Sequence, residues 1–223
     1  MLVESEFQNV TVGEQTWRYN DSGQGRAVVL LHGFPDSPHS YAGIARTLNQ
    51  AGYRTILPYL RGYHRDTLVP RRPYDALHLA EDVIGLLDGL GLRSAVLVGH
   101  DWGATLVYGA AALAPDRVDA AVARVKEAFS DPEVLHGAIA YYRAITSKLD
   151  RRLTRPIRCP GLMVAGGKDF GGHIGPYERS RGLFGGGAEL LLMPQAGHWP
   201  HREDESLFKE ALLRFLGGLD DFG

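Results

Sequence analysis

Apolar and polar residues are arranged along the chain in a pattern that predicts strands followed by helices. Two short β-rich segments, Phe7 to Val12 and Gln15 to Tyr19, are separated by Gly13-Glu14 and predict an opening hairpin. The continuous apolar run from Ala27 to Leu31 is typical of a strand that is covered on both faces. A helix is predicted to follow, from Tyr41 to Ala51.

The same alternation continues to the end of the chain. Further strands are predicted at Tyr53 to Leu57, Ser94 to Val98, Val118 to Val122, Gly161 to Ala165 and Glu189 to Met193. Helices are predicted at Asp75 to Leu90, from just after Asp101 to about Leu113, and at Glu203 to Leu219. Strands that alternate with helices indicate a mostly parallel, doubly wound α/β sheet with helices on both faces. We expect residues 1–223 to form one such domain.

The charge balance narrows the range of partners. The chain has 24 basic and 26 acidic residues, for a formal charge of −2, and neither sign forms a long run. We therefore expect no nucleic acid and no membrane surface as partner, and a small neutral organic substrate fits best. No apolar stretch approaches the ~20 residues that a membrane-spanning helix needs.

Cysteine content and the first residues bear on the compartment. Cys159 is the single cysteine, so no disulfide can form within the chain, and Met1 to Glu6 lacks the pattern of a signal peptide. Both observations favour a cytoplasmic location. Cys159 stands before an apolar run, so we interpret it as a buried side chain rather than a nucleophile.

The first candidate for chemistry is Asp101. It stands in Gly99-His100-Asp101-Trp102-Gly103, between a predicted buried strand and a predicted helix, which is the context of a nucleophile elbow. Such an elbow needs glycines because its backbone is strained and closely approached. The alternative is that Asp101 merely caps the helix, since Asp is a favoured N-cap residue.

Asp169 and His198 extend this candidate to a triad. Each follows a predicted strand, and in a doubly wound sheet the loops after the strands converge on one crevice. The order of nucleophile, acid and histidine along the chain is the order of α/β-hydrolase triads. We therefore predict that Asp169 orients His198, and that His198 activates a water molecule.

Four motifs together resemble the epoxide hydrolase branch of the α/β-hydrolase fold: His32-Gly33-Phe34-Pro35-Asp36, Gly99 to Ala104, Gly167-Lys168-Asp169 and Ala196-Gly197-His198-Trp199. The resemblance implies an aspartate nucleophile that attacks an epoxide and forms an alkyl ester, with no cofactor. It implies that the backbone N–H groups of Phe34 and Trp102 form the oxyanion hole. By the same resemblance, Trp102 and Tyr141 contact substrate and Tyr142 donates a proton. The alternatives are that Trp102 only packs beside the elbow and that both tyrosines belong to an amphipathic helix from Pro132 to Leu149.

The chain departs from this family between the strand Val118 to Val122 and Asp150. Family members carry a helical cap there, and residues 125–150 look like only its final part. Without a full cap, water screens the charges more strongly, so we expect weak or altered activity. A second subunit is one way to cover the exposed surface, which makes a homodimer an alternative to the monomer.

Three other interpretations stay open or are disfavoured on sequence. A haloalkane dehalogenase would share the aspartate mechanism, and a cap-truncated chain could bind a small ligand without catalysis. A metal site formed by His198, His201 and Glu203 is disfavoured because Pro200 interrupts any helical spacing between them, so no metal is expected.

Overall fold

The computed structural model describes residues 2–69, 71–124, 150–169 and 175–219. The strands are β1 (Phe7–Val12), β2 (Gln15–Ser22), β3 (Ala27–Leu31), β4 (Arg54–Pro58), β5 (Ala95–His100), β6 (Val118–Arg124), β7 (Gly161–Gly166) and β8 (Ala188–Met193). The helices are α1 (Ala42–Gln50), α2 (Ala76–Gly89), α3 (Trp102–Leu113), α4 (Gly175–Arg181), α5 (Pro200–Glu203) and α6 (Glu205–Gly217).

The eight strands form one sheet in the order β1-β2-β4-β3-β5-β6-β7-β8. β1 pairs with β2, and β2 with β4, in antiparallel fashion, whereas every pair from β4 through β3 to β8 is parallel. The opening hairpin and the alternating strands and helices are therefore as the sequence predicts. The carboxyl ends of the parallel strands meet along one edge, where Asp101, Asp169 and His198 follow β5, β7 and β8.

The apolar run of β3 shows why this sheet needs helices on both faces. Val29 and Leu31 belong to the core that packs against α2 and α3, whereas Val28 and Leu30 belong to the core that packs against α1 and α6. Because successive side chains of a strand point to opposite faces, both sets are buried only if both faces are covered. All five residues of β3 are buried.

A buried ion pair fixes the loop that follows β4. The Arg61 guanidinium donates to the Asp82 carboxylate of α2 and to the carbonyl oxygen of Pro73, each at 2.7 Å. Burial raises the pKa of Asp82, and the attraction of Arg61 opposes that rise. The pair anchors the segment around Leu60 to α2, and this segment supports the site described below.

The structure corrects the sequence prediction at two helices. The predicted helix Glu203 to Leu219 is found as α6 (Glu205–Gly217), which starts two residues later because Asp204 leaves helical geometry (φ −141°, ψ 71°) and its side chain accepts a hydrogen bond from Leu207 N. The structure also contains α4, which the sequence does not predict because Gly175-Pro176 and charged residues hide any apolar periodicity. Within the described ranges, no helix combines the length and the apolar character required to cross a membrane.

Candidate active site

Asp101 lies at the sharp turn between β5 and α3. Its backbone has φ 57° and ψ −121°, and among the described residues it is the single non-glycine with positive φ. Its carbonyl oxygen accepts a hydrogen bond from Ala104 N at 2.9 Å, so α3 starts directly from the turn. Positive φ at a residue with a side chain is strained, and such strain is concentrated at functional sites. The predicted elbow geometry is therefore present.

Three glycines make room for this turn. A Cβ on Gly99 would overlap the backbone of Gly103, and a Cβ on Gly103 would overlap the carbonyl oxygen of Leu31 at the end of β3. A Cβ on Gly33 would overlap Asp101 itself, with the carboxyl carbon only 2.7 Å away. The loop after β3 and the elbow thus pack so closely that a side chain has no room between them. Only glycine allows this approach.

The Asp101 carboxylate is buried and held by the loop after β3. Its side chain makes no capping hydrogen bond to α3, so helix capping does not explain this residue. Instead, the backbone N–H of Phe34 donates to Asp101 Oδ1 at 2.6 Å. Asp101 is 1% exposed and Phe34 is 6% exposed. Phe34 is thus in contact with the carboxylate oxygen, at the position where the family resemblance places an oxyanion donor.

His32 holds the loop after β3 in place through two hydrogen bonds. Leu60 N donates to His32 Nε2 at 3.2 Å, so Nδ1 carries the proton and donates to the carbonyl oxygen of Gly33 at 2.9 Å. The ring is fully buried, and burial lowers the pKa of His32 to about 4. His32 is therefore neutral near pH 7, as this pair of hydrogen bonds requires.

Asp169 and His198 meet across the loops after β7 and β8. His198 Nδ1 lies 3.2 and 3.3 Å from the two carboxylate oxygens of Asp169, and the side chains are 13% and 12% exposed. Backbone hydrogen bonds join the two loops, from Gly167 N to Met193 O and from Lys168 N to Ala196 O, both at 2.9 Å. With Nδ1–H directed at Asp169, the neutral ring carries its lone pair on Nε2.

Two residues that were not among the predicted site residues position His198. Glu203 accepts hydrogen bonds from the backbone N–H groups of Gly197 and Trp199, both at 2.7 Å. His100 Nε2 donates to the carbonyl oxygen of His198 at 2.9 Å. His100 directly precedes Asp101, so the elbow and the His198 loop are joined side by side. In the sequence, the signal for His100 is its position directly before Asp101 in the motif. For Glu203 the sequence gives no signal except that it lies close to His198.

The other predicted site residues have different outcomes. Trp102 is the first residue of α3 and packs, partly buried, against the core under that helix. Its role as an oxyanion donor and substrate contact stays a prediction. Tyr141 and Tyr142 lie outside the described residues, as does the proposed cap remnant 125–150 except Asp150. Cys159 is buried, and burial raises the pKa of its thiol to about 11, which keeps it unreactive.

A second group of ionisable side chains lies next to Asp101 and the His198 loop, because it includes His100. Asp36, His100 and His201 each place one ligand atom within 4.8 Å of the other two, so together they could hold a metal ion. Of the three residues weighed for a metal on sequence, only His201 belongs to this group. His198 faces Asp169, and Glu203 holds the backbone of the same loop.

The sequence is similar to named epoxide hydrolases over less than half of its length. Residues 26–133 match the family model described as alpha/beta hydrolase fold. The chain is 46% identical over 101 residues to an epoxide hydrolase of Caballeronia sordidicola, which is 45% of this chain and 31% of that protein. It is 46% identical over 102 residues to epoxide hydrolase 3 of Siraitia grosvenorii, covering 45% of this chain and 32% of that protein. The matches thus span about a third of these curated relatives.

Solved structures extend the similarity to nearly the whole fold. A putative epoxide hydrolase from Klebsiella pneumoniae superposes with a TM-score of 0.79 and 26% identity, over 95% of this chain and 97% of the other. A thermophilic esterase from Thermogutta terrifontis superposes with a TM-score of 0.80 at 19% identity, over 96% of this chain and 98% of the other, which shows the shared fold alone. The chain therefore has the α/β-hydrolase fold. Over the matched part, its sequence is similar to epoxide hydrolases with this fold.

Proposed function

We propose that this chain hydrolyses epoxides through a covalent ester on Asp101. The observation that carries the proposal is the hydrogen bond of 2.6 Å from Phe34 N to Asp101 Oδ1, at an elbow where Asp replaces the usual Ser. A serine nucleophile needs its oxyanion donors to face the substrate. An aspartate that forms an ester needs them to face its own carboxyl oxygen, because that is where charge develops when the ester is hydrolysed.

In the first step, Asp101 Oδ2 attacks a ring carbon of the epoxide. The C–Oδ2 bond forms as the ring C–O bond breaks, and the resulting alkoxide takes up one proton. By resemblance Tyr142 supplies that proton. Phe34 N–H holds Oδ1 and so leaves Oδ2 as the oxygen for attack.

In the second step, His198 removes a proton from water and the hydroxide adds to the Asp101 carboxyl carbon. Asp169 stabilises the imidazolium that forms, because it faces Nδ1 at 3.2 Å. The negative charge on Oδ1 is held by Phe34 N–H and, in our proposal, by Trp102 N–H. Collapse breaks the bond between the Asp101 carboxyl carbon and the alkyl oxygen, and the His198 imidazolium gives its proton to that oxygen. The new Asp101 carboxyl group loses its proton, which replaces the one that Tyr142 gave, so the sum of both steps is epoxide plus water giving diol.

The test is to trap the ester. His198→Gln removes the base for the second step but leaves Asp101 intact, so incubation with styrene oxide should add the mass of one epoxide to the chain. Peptide mass spectrometry should place that mass on Asp101. The double variant Asp101→Asn with His198→Gln is the matched control and should gain no mass there.

The alternatives give different results in the same assay. If the chain releases halide from a haloalkane and forms no epoxide adduct, the proposed function changes from epoxide hydrolase to haloalkane dehalogenase. An adduct at another residue, or diol formation by the Asp101→Asn variant, would contradict the proposed nucleophile. Absence of both adduct and turnover with epoxides and haloalkanes would favour the non-catalytic binder.

A further inference from the structure

The group formed by Asp36, His100 and His201 lies where three segments of the site meet. Asp36 belongs to the loop after β3, His100 ends β5, and His201 lies in α5. The side chains of Asp36 and His201 are 7% and 2% exposed, and His100 is 1% exposed. Burying three ionisable side chains together is unfavourable unless charge and hydrogen bonds are balanced. The group therefore needs an explanation beyond packing.

His100 is oriented as metal-binding histidines are. Its Nε2–H donates to the carbonyl oxygen of His198 at 2.9 Å, so in the neutral ring Nδ1 is the basic nitrogen. A histidine that binds a metal through one nitrogen commonly donates its other N–H to a backbone carbonyl, which fixes the ring and raises its basicity. Here the outer hydrogen bond is already made.

The Asp36 carboxylate is also held by the backbone through one of its two polar atoms. Its Oδ1 accepts the backbone N–H of Ser37 at 2.8 Å, whereas its Oδ2 is buried and accepts no hydrogen bond within the described part of the chain. His201 Nε2 lies 3.9 Å from that oxygen, which is near the ~3.4 Å that separates two ligands of a tetrahedral ion with bonds of about 2.1 Å. A carboxylate oxygen and two imidazoles are ligands that zinc accepts.

Two aromatic rings pack against His201, and a small cavity lies beside it. The Tyr41 ring stacks on His201 with centroids 4.9 Å apart, and Phe208 packs against the same imidazole edge-on. A small cavity with room for about one water molecule lies beside His100 and His201, and the rest of its lining is mostly apolar, including Val122, Val164 and Phe208. A site with three protein ligands has a fourth position for water, and this cavity adjoins two of the three ligands.

From this geometry we propose that Asp36, His100 and His201 bind one Zn²⁺ ion, or a divalent ion of the same class, with water as the fourth ligand. The ligand atoms, now within 4.8 Å of one another, must approach by up to about 1.4 Å to reach tetrahedral spacing, which rotations of the side chains would supply. The ion would join the loop that carries Phe34, the elbow and the segment that carries His198. It would brace the triad from behind and would take no part in the reaction.

The test measures ion binding directly and without substrate, so it is independent of the epoxide assay. The full chain, without a histidine tag, is treated with EDTA, exchanged into metal-free buffer and titrated with Co²⁺ and with Zn²⁺. We expect one ion per chain by calorimetry, and visible d–d absorption typical of a tetrahedral Co²⁺ site that Zn²⁺ abolishes. Thermal unfolding should move to higher temperature with Zn²⁺, because an ion that binds only the folded chain stabilises it.

Two variants and one control locate the site. His201→Phe removes a ligand and keeps an aromatic ring against Tyr41, and Asp36→Asn keeps the acceptor for Ser37 N–H. Each should weaken Zn²⁺ binding by about 100-fold or more. His78→Gln is the control, since His78 forms a half-exposed pair with Asp75 elsewhere, and its affinity should match the parent chain.

The proposal fails if the parent chain binds no Zn²⁺, which would make the group an Asp36–His201 ion pair only. It also fails if Asp36→Asn binds Zn²⁺ as the parent chain does, because the ion would then lie elsewhere. Circular dichroism of each metal-free variant shows whether it is folded. If His201→Phe is unfolded, the Asp36→Asn result decides.

Discussion

Asp75 and Asp101 each stand directly before a helix, and their carboxylates are used in opposite ways. Asp75, before α2, has extended backbone (φ −80°, ψ 162°), and its Oδ1 accepts the backbone N–H of His78 at 3.0 Å. Asp101, before α3, has φ 57° and makes no capping bond. The Asp75 side chain is 27% exposed, whereas Asp101 is 1% exposed.

The difference shows that residue type at a helix start does not determine function. The Asp75 carboxylate caps the helix that follows it, as the Asp204 carboxylate caps α6. Asp101 is turned away from its helix by positive φ and accepts a hydrogen bond from another loop, 67 residues away in the chain. The turned backbone therefore directs the Asp101 carboxylate to the loop after β3 instead of to its own helix, as the proposed nucleophilic role requires.

The largest effect is expected from Asp101→Asn. The amide keeps the shape and the acceptor for Phe34 N–H but cannot attack carbon, so epoxide hydrolysis should fall by about 10⁴-fold or more, as for other nucleophile losses. The free energy of unfolding should change by less than about 1 kcal/mol, because no cap is lost. Steady-state kinetics and urea unfolding measure the two quantities. A loss of stability as large as that of a lost cap would show that Asp101 also serves its helix.

The next effect is expected from Gly33→Ala, which displaces Asp101 instead of removing it. The new Cβ would overlap the Asp101 side chain, so the carboxylate must shift, and a shift of about 1 Å can cost about 10²-fold in rate. Stability should fall by about 1–3 kcal/mol through overpacking. Steady-state kinetics and urea unfolding again measure the two losses.

Gly52→Ala is the matched control for that variant. Gly52 has φ 88°, and a Cβ there would meet no described atom within 4 Å, so alanine strains the backbone without touching the site. Its stability should fall while kcat stays unchanged. Equal losses of activity in both variants would mean that Gly33 acts only through stability.

The fold was predictable because apolar runs and glycine turns are local signals. The runs of β3, β5 and β7 indicate strands that are buried on both faces, and their order with the helices implies the parallel sheet. The start of α6 two residues after the predicted position was not predictable, because the capping role of Asp204 depends on its backbone dihedral angles, which no sequence pattern gives. Nor was α4, which is short and polar.

The site was predictable only where a motif implies its own geometry. The glycines around Asp101 imply a tight turn, and the structure shows why each is needed. In contrast, nothing local says that the carbonyl oxygen of His198 is bound by His100, or that Asp36 and His201 approach each other. These contacts depend on how the loops after β3, β5 and β8 are placed relative to one another, which no single segment encodes.

A smaller effect is expected from pH through His32, the buried histidine that holds the loop next to Asp101. The pKa of His32 is about 4 in the folded chain and near 6.5 when unfolded, so at intermediate pH the unfolded chain binds more protons. Stability is therefore lost as pH falls, by about 2 kcal/mol between pH 7 and pH 5. Urea unfolding at both values, in EDTA, measures the loss.

Other groups also titrate in that range, so the comparison is with His32→Gln. Glutamine can still accept the Leu60 N–H but does not titrate, and its pH dependence should be weaker than that of the parent chain by the same amount. Identical pH dependence in the two chains would mean that His32 is not the group that protonates on unfolding.

The smallest effect is expected from Asp75→Ala, which tests the other half of the comparison. It removes the acceptor for His78 N–H at the first turn of α2, so stability should fall by about 1 kcal/mol, as for other lost caps. Epoxide turnover should be unchanged, because Asp75 caps a helix and is remote in its contacts from Asp101. Asp75→Asn, which can still cap, should recover most of the stability. If Asp75→Ala instead lowered kcat at full stability, the division between a capping and a reacting aspartate would be wrong.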